Sequence, residues 1–134
     1  MTVVITLNTD GPREPGYVLE VAEGLAESVR TLNHLTRDHE ALEYPSEVDR
    51  LLREVTSAVS RLDQLLAQAG NWLEAERREG RIKAAGGPYE GKPGTAVVAV
   101  KISLDEAREC LAQAVTALEA AASVTSTLAV REDD

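Results

Sequence analysis

The sequence predicts a mainly α-helical protein in which three long helices form an antiparallel bundle. Apolar residues recur at intervals of three and four over three long stretches, which is the spacing of one face of a helix. These residues are almost all Leu, Val and Ala, with one Trp, three Tyr and no Phe, and small aliphatic side chains suit closely packed helices. A chain of 134 residues is predicted to form one domain, spanning residues 1–134.

The first helix is predicted from about residue 17 to residue 43. Pro15 and Gly16 precede it as helix breakers. Tyr44 and Pro45 end it, because the residue before a proline avoids helical geometry. Its apolar positions follow the helical spacing: Val18, Val21, Leu25, Val29, Leu32, Leu35 and Leu42.

The second helix is predicted from about residue 46 to residue 79, with Ser46 as N-cap and Asp49 completing a weak capping box. Three neighbouring rows of apolar residues run along it at intervals of seven. They are Val48, Val55, Leu62 and Ala69; Leu51, Ala58, Leu65 and Trp72; and Leu52, Val59, Leu66 and Leu73. A face this wide exceeds the seam of a two-stranded coiled coil, so we expect this helix to contact more than one neighbour.

The third helix is predicted from about residue 103 to residue 130, and it begins with a capping box formed by Ser103 and Glu106. Its middle is apolar around almost the whole circumference, which is typical of a central helix. The connector at residues 80–102 is rich in Gly and Pro, but its second half, residues 95–102, is rich in β-branched residues. We therefore expect residues 95–102 to pair with residues 2–7 as a minor two-stranded β element.

The net charge of −9 argues against direct contact with nucleic acid and against binding to anionic membranes. No run of residues is long and apolar enough to cross a membrane. The apolar residues near the N-terminus follow no basic segment, so no signal peptide is expected. Cys110 is the only cysteine, which excludes an intrachain disulfide and favours the reducing cytoplasm.

Residues 86–92 match the G-x-x-x-x-G-K part of a phosphate-binding loop. Pro93 follows where Ser or Thr should bind Mg²⁺, and the predicted order of helix and strand around the loop is reversed. His39 and Glu43 are four residues apart, as metal ligands on a helix are, but no second cluster supplies the remaining ligands. Cys110 is not paired in sequence with His34 or His39 and resembles a structural cysteine. We therefore predict no catalytic, cofactor-binding or metal-binding residue, no cofactor, and no enzymatic activity.

Two surfaces are candidate binding sites. Basic residues cluster where the second helix ends, interleaved with glutamates, and could dock an acidic partner, although a solvated helix end is the simpler interpretation. This docking cluster comprises Arg77, Arg78, Arg81 and Lys83. The candidate interface residues on the helices are Leu62, Leu66, Trp72, Leu73, Leu111, Val115, Leu118 and Ala122.

The apolar faces exceed what three helices can bury among themselves. The sequence therefore favours a non-enzymatic module for protein–protein interaction, acting as a homodimer and as an accessory or regulator of an unidentified protein partner. One alternative is a small-molecule-binding or enzymatic bundle with residues 80–102 as a lid. Another is an accessory of a nucleic-acid machine that contacts protein rather than DNA.

Overall fold

The computed structural model describes residues 4–11 and 14–132, and it confirms that the protein is mainly α-helical. Within these residues three α-helices, of 21, 34 and 33 residues, occupy Pro15–Leu35 (α1), Pro45–Arg78 (α2) and Pro93–Thr125 (α3). Short 3-10 turns occupy His39–Ala41 and Gly87–Tyr89. The chain divides after Glu43 into two compact units, so α1 belongs to the first unit, and α2 and α3 belong to the second.

In the first unit, the segment before α1 lies along that helix and is held by Tyr17. The Tyr17 hydroxyl donates a hydrogen bond to the Thr6 carbonyl (2.8 Å) and accepts one from the Asn8 N–H (2.9 Å). The Ile5 side chain packs against α1 at Gly24, where a β-carbon would overlap it. The strand predicted at residues 2–7 is therefore wrong for residues 4–7, which contain no strand; residues 2 and 3 lie outside the described residues.

The end of α1 is set by polar residues that compete with helical hydrogen bonding. The helix stops at Leu35 and not at residue 43. Asp38 accepts a hydrogen bond from the Glu40 N–H (3.0 Å) and thereby begins the short 3-10 turn. An aspartate that bonds the backbone two residues onward favours a turn over a continuing helix.

In the second unit, α2 and α3 pack against each other as an antiparallel hairpin. Near the connector, Gly94 lies beside Arg77, and Gly70 of α2 lies beside Lys101. At the opposite end, the Thr125 hydroxyl donates a hydrogen bond to Asp49 Oδ1 (2.8 Å). Residue numbers along α2 thus fall as those along α3 rise, as an antiparallel pair requires.

The strand predicted at residues 95–102 is wrong, because these residues form the first turns of α3. Pro93 occupies the start of this helix, where a missing N–H costs nothing. Val97 is 3% exposed, and burying a valine is worth roughly 1.5–3 kcal/mol. That gain exceeds the helix-propensity cost of any one β-branched residue, which is at most about 0.7 kcal/mol, and it offsets most of the combined cost of the five β-branched residues at 95–102. Ser103 is consequently interior to the helix and not a cap, and the connector between α2 and α3 ends at Lys92.

Candidate interaction surface

A cross-helix ion pair fixes the middle of the hairpin. Arg108 Nε lies 2.9 Å from Asp63 Oδ1, and its Nη2 lies 3.3 Å from Asp63 Oδ2. The hydrogen bond from Arg108 lowers the pKa of Asp63. Arg108 also lies 3.3 Å from Asp105. Because these side chains remain partly exposed, the pair fixes the register of the two helices more than it stabilises them.

The hairpin has a polar face and an apolar face. The polar face carries a shallow hollow of about 240 Å³, lined by Ala67 and Asn71 of α2 and by Asp105 of α3, among others. Residues two positions apart on a helix are separated by about 200° and point to opposite sides. Leu65, Ala69 and Ala107, each two positions from one of these lining residues, therefore point to the other face. We call this other surface the apolar face: Leu51, Ala58, Leu62, Leu65, Ala69 and Trp72 of α2, with Val100, Ala107, Ala114 and Ala121 of α3.

The apolar face is largely uncovered, and one charged residue, Glu54, lies at its edge beside Leu51 and Ala58. Leu65 is 51% exposed, and Trp72 is 61% exposed. Val97 and Ala122 are the only buried hydrophobic residues among residues 4–11 and 14–132. A pair of helices cannot enclose a stripe of three rows, so this surface stays exposed on the hairpin.

The predicted interface residues divide between two places. Trp72 and Leu62 belong to the apolar face. The other six lie in the rows through which α2 and α3 contact each other. Ala122 is 4% exposed, and the remaining five are half-buried: Leu66, Leu73, Leu111, Val115 and Leu118. The prediction omitted the alanine row of α3, although its interval of seven marks Ala107, Ala114 and Ala121 as one surface.

The docking cluster lies at the end of α2, and its arginines are paired with nearby glutamates. Arg77 donates to both carboxylate oxygens of Glu74 (2.9 and 2.5 Å), and Arg78 donates to the same carboxylate (3.2 Å). Arg81 donates to both oxygens of Glu76 (2.7 and 3.0 Å). Lys83, the fourth residue of the docking cluster, is exposed. These pairs reduce the positive charge that the cluster offers to an acidic partner.

Acid is expected to weaken the end of α2 through Glu74. The hydrogen bond from Arg77 is the main cause that lowers the pKa of Glu74 from 4.5 to about 2. The resulting stabilisation is present above pH 4.5 and is lost as the pH falls toward 2. We expect the Tm of the protein to exceed that of Glu74→Gln at pH 6 and the two values to converge near pH 2. A Tm difference that does not change with pH would contradict this assignment.

The first unit contains an open groove of about 700 Å³ between α1 and the segment before it. Ile5, Leu7 and Val21 are among its lining residues. The one charged lining residue, Glu27, is paired with Arg30 (2.8 Å). This groove therefore offers mainly apolar contacts.

The histidines singled out in the sequence are both exposed: His34 lies in α1, and His39 lies in the 3-10 turn. Across residues 4–11 and 14–132, no three His, Cys, Asp or Glu side chains are grouped as metal ligands would be. No helix in the described part of the chain has the length and apolarity needed to cross a membrane. No known family model, curated protein or solved structure matches the chain.

Proposed function

We propose that the protein is a non-enzymatic, homodimeric module for protein–protein interaction, acting in the cytoplasm as an accessory or regulator of another protein. The apolar face carries this proposal. It combines exposed Leu65 and Trp72 with a row of small residues on α3. Continuous exposed apolar surfaces of this kind are rare on monomers and mark interaction sites.

The size of the apolar face suits a second copy of the chain. From Leu51 to Trp72, the part of α2 that belongs to the apolar face is about 32 Å long at 1.5 Å per residue. Two helices about 9 Å apart, each about 10 Å across, present a width of roughly 19 Å. The projected area is therefore about 600 Å² per copy, and the roughly 1,200 Å² from two copies is at the lower end of the range for specific, stable interfaces.

The sequence predicts an antiparallel three-helix bundle completed by dimerisation, and the bundle stays a prediction because α1 belongs to a separate compact unit. The first unit carries exposed apolar residues of its own at the spacing of one helix face, among them Val18, Leu25, Val29, Leu32 and Leu35. The proposed dimer uses the apolar face of the hairpin.

A matched pair of substitutions tests the dimer. Leu65 on the apolar face and Val98 on α3, away from that face, are similarly exposed (51% and 55%). We expect light scattering at micromolar concentration to give twice the chain mass of 14.4 kDa for the wild type and for Val98→Glu. Leu65→Glu is expected to give the monomer mass with a helical circular-dichroism spectrum, because a carboxylate in the dimer interface would be buried without a partner.

Two results would contradict the proposal. A wild-type mass near 14.4 kDa at all concentrations would show that no second copy binds. A dimer that persists in Leu65→Glu would show that the chains associate through another surface.

A further inference from the structure

We propose that the two copies pack through their apolar faces in opposite directions, so that the connector end of each hairpin lies against the other end of its partner. This inference rests on the proposed homodimer and adds its orientation. We call residues 74–101 the tip of the hairpin, and residues 45–56 together with 112–132 the base.

Charge is distributed unequally between these two ends. The tip has six basic and four acidic side chains, a net charge of +2. The base has three basic and five acidic side chains, a net charge of −2. The middle, residues 57–73 and 102–111, has two basic and four acidic side chains and lies opposite the middle of the second copy in either orientation. The hairpin is therefore positive at its tip and negative at its base.

Because the hairpin is long, the unequal charge of its two ends determines the orientation of the two copies in the dimer. The two ends are about 42 Å apart at 1.5 Å per residue, whereas exposed charges are screened over about 8 Å at physiological ionic strength. Each end thus interacts only with what lies directly opposite it. If the tips lay together, positive would oppose positive and negative would oppose negative. In the tip-to-base arrangement, opposite charges meet at both ends, and such complementarity selects orientation.

The two orientations place the helices differently. In both, a two-fold axis relates the apolar faces, because homodimers are usually isologous. Tip-to-base packing sets α2 against α2 and α3 against α3. Tips-together packing sets α2 of each copy against α3 of the other.

Cys110 distinguishes the two arrangements without any mutation. Cys110 is exposed and lies near Arg108, at mid-length of the hairpin. It borders the apolar face, because Ala107 and Ala114 are three and four residues away from it along the helix. Tip-to-base packing brings the two Cys110 residues together on one flank of the dimer. Tips-together packing places them on opposite flanks, each facing Leu65 of the second copy.

The test is cross-linking of the full chain with a short bis-maleimide. We expect the native protein to yield a covalent dimer through Cys110 and Cys110→Ser to yield none. In a Leu65→Cys chain that retains Cys110, peptide mapping should find links joining like positions, 110 to 110 and 65 to 65. Predominant links between 65 and 110, with no linkage in the native dimer, would overturn the orientation.

Ionic strength provides a second test, because its effect on the dimer dissociation constant has opposite signs for the two orientations. Raising salt from about 0.1 to about 1 M shortens the screening length from roughly 10 to 3 Å, so the change reports charges that lie directly opposite each other and not the net charge of −9 on each chain. The dimer dissociation constant should rise if opposite charges meet and fall if like charges meet. A fall would overturn the tip-to-base arrangement. Failure of the homodimer itself would instead appear as the monomer mass in light scattering.

Discussion

Leu118→Asp is expected to unfold the protein or dissociate it. Leu118 is half-buried on α3 in the row that leads to Ala122, which is 4% exposed. An aspartate there would be placed in the contact between α2 and α3 without a partner for its charge. Burying an unpaired polar group commonly costs about 2–7 kcal/mol, a large part of the roughly 5–15 kcal/mol that stabilises a domain. Thermal melting followed by circular dichroism, with light scattering for the mass, measures the effect.

Lys92→Ala is the control, because Lys92 is exposed in the connector just before α3. Surface changes of this kind usually alter stability by less than about 0.5 kcal/mol. Tolerance of Leu118→Asp would show that α3 does not form the centre of the hairpin. A folded Lys92→Ala protein that no longer captures its native partners would place the functional site in the connector.

Helix α2 was predictable because the local sequence signals and the packing against α3 both favour a helix along its whole length. Pro45 is the first residue of the helix, and the three apolar rows continue to Leu73 without a break in their spacing. The structure places α2 at Pro45–Arg78, within one residue of the predicted bounds at each end. Gly70 does not divide the helix, since the packing of α2 on α3 holds its backbone helical.

The start of α3 was not predictable from local preference. Residues 95–102 favour a strand when considered alone, and Ser103 with Glu106 has the composition of a helix start. The deciding contacts are with residues of α2 that lie 17 and 31 positions earlier in the chain: Gly94 lies beside Arg77, and Lys101 lies beside Gly70. A pattern limited to neighbouring residues does not contain those contacts.

The candidate surface was predictable in part, for a related reason. The interval of seven that contains Leu65 and Trp72 identifies one row of α2 from the sequence. Which row turns toward α3 depends on the register, and Asp63 and Arg108, 45 residues apart in the chain, fix that register. The sequence therefore predicted apolar rows but did not separate the contact between the helices from the exposed face.

Gly70 provides a test of how closely α2 and α3 approach. It is the only buried residue of α2, and a glycine inside a helix costs about 1 kcal/mol relative to alanine. A β-carbon at this position would lie 3.4 Å from Leu104 Cδ1 and 3.5 Å from Lys101 Cγ, which is ordinary van der Waals contact. We therefore expect Gly70→Ala to be accommodated and to raise the free energy of unfolding by up to about 1 kcal/mol.

A leucine at the same position should have the opposite effect. Its additional carbons extend beyond the β-carbon into the space that Leu104 and Lys101 occupy, so the helices must separate or the side chains must leave their preferred rotamers. Overpacking of this kind typically costs about 1–3 kcal/mol. Urea unfolding of Gly70→Ala and Gly70→Leu should thus give free energies of unfolding on opposite sides of the wild-type value. If Gly70→Leu were as stable as Gly70→Ala, α2 and α3 would not be in close contact at Gly70, and the register fixed by Asp63 and Arg108 would have to be reassigned.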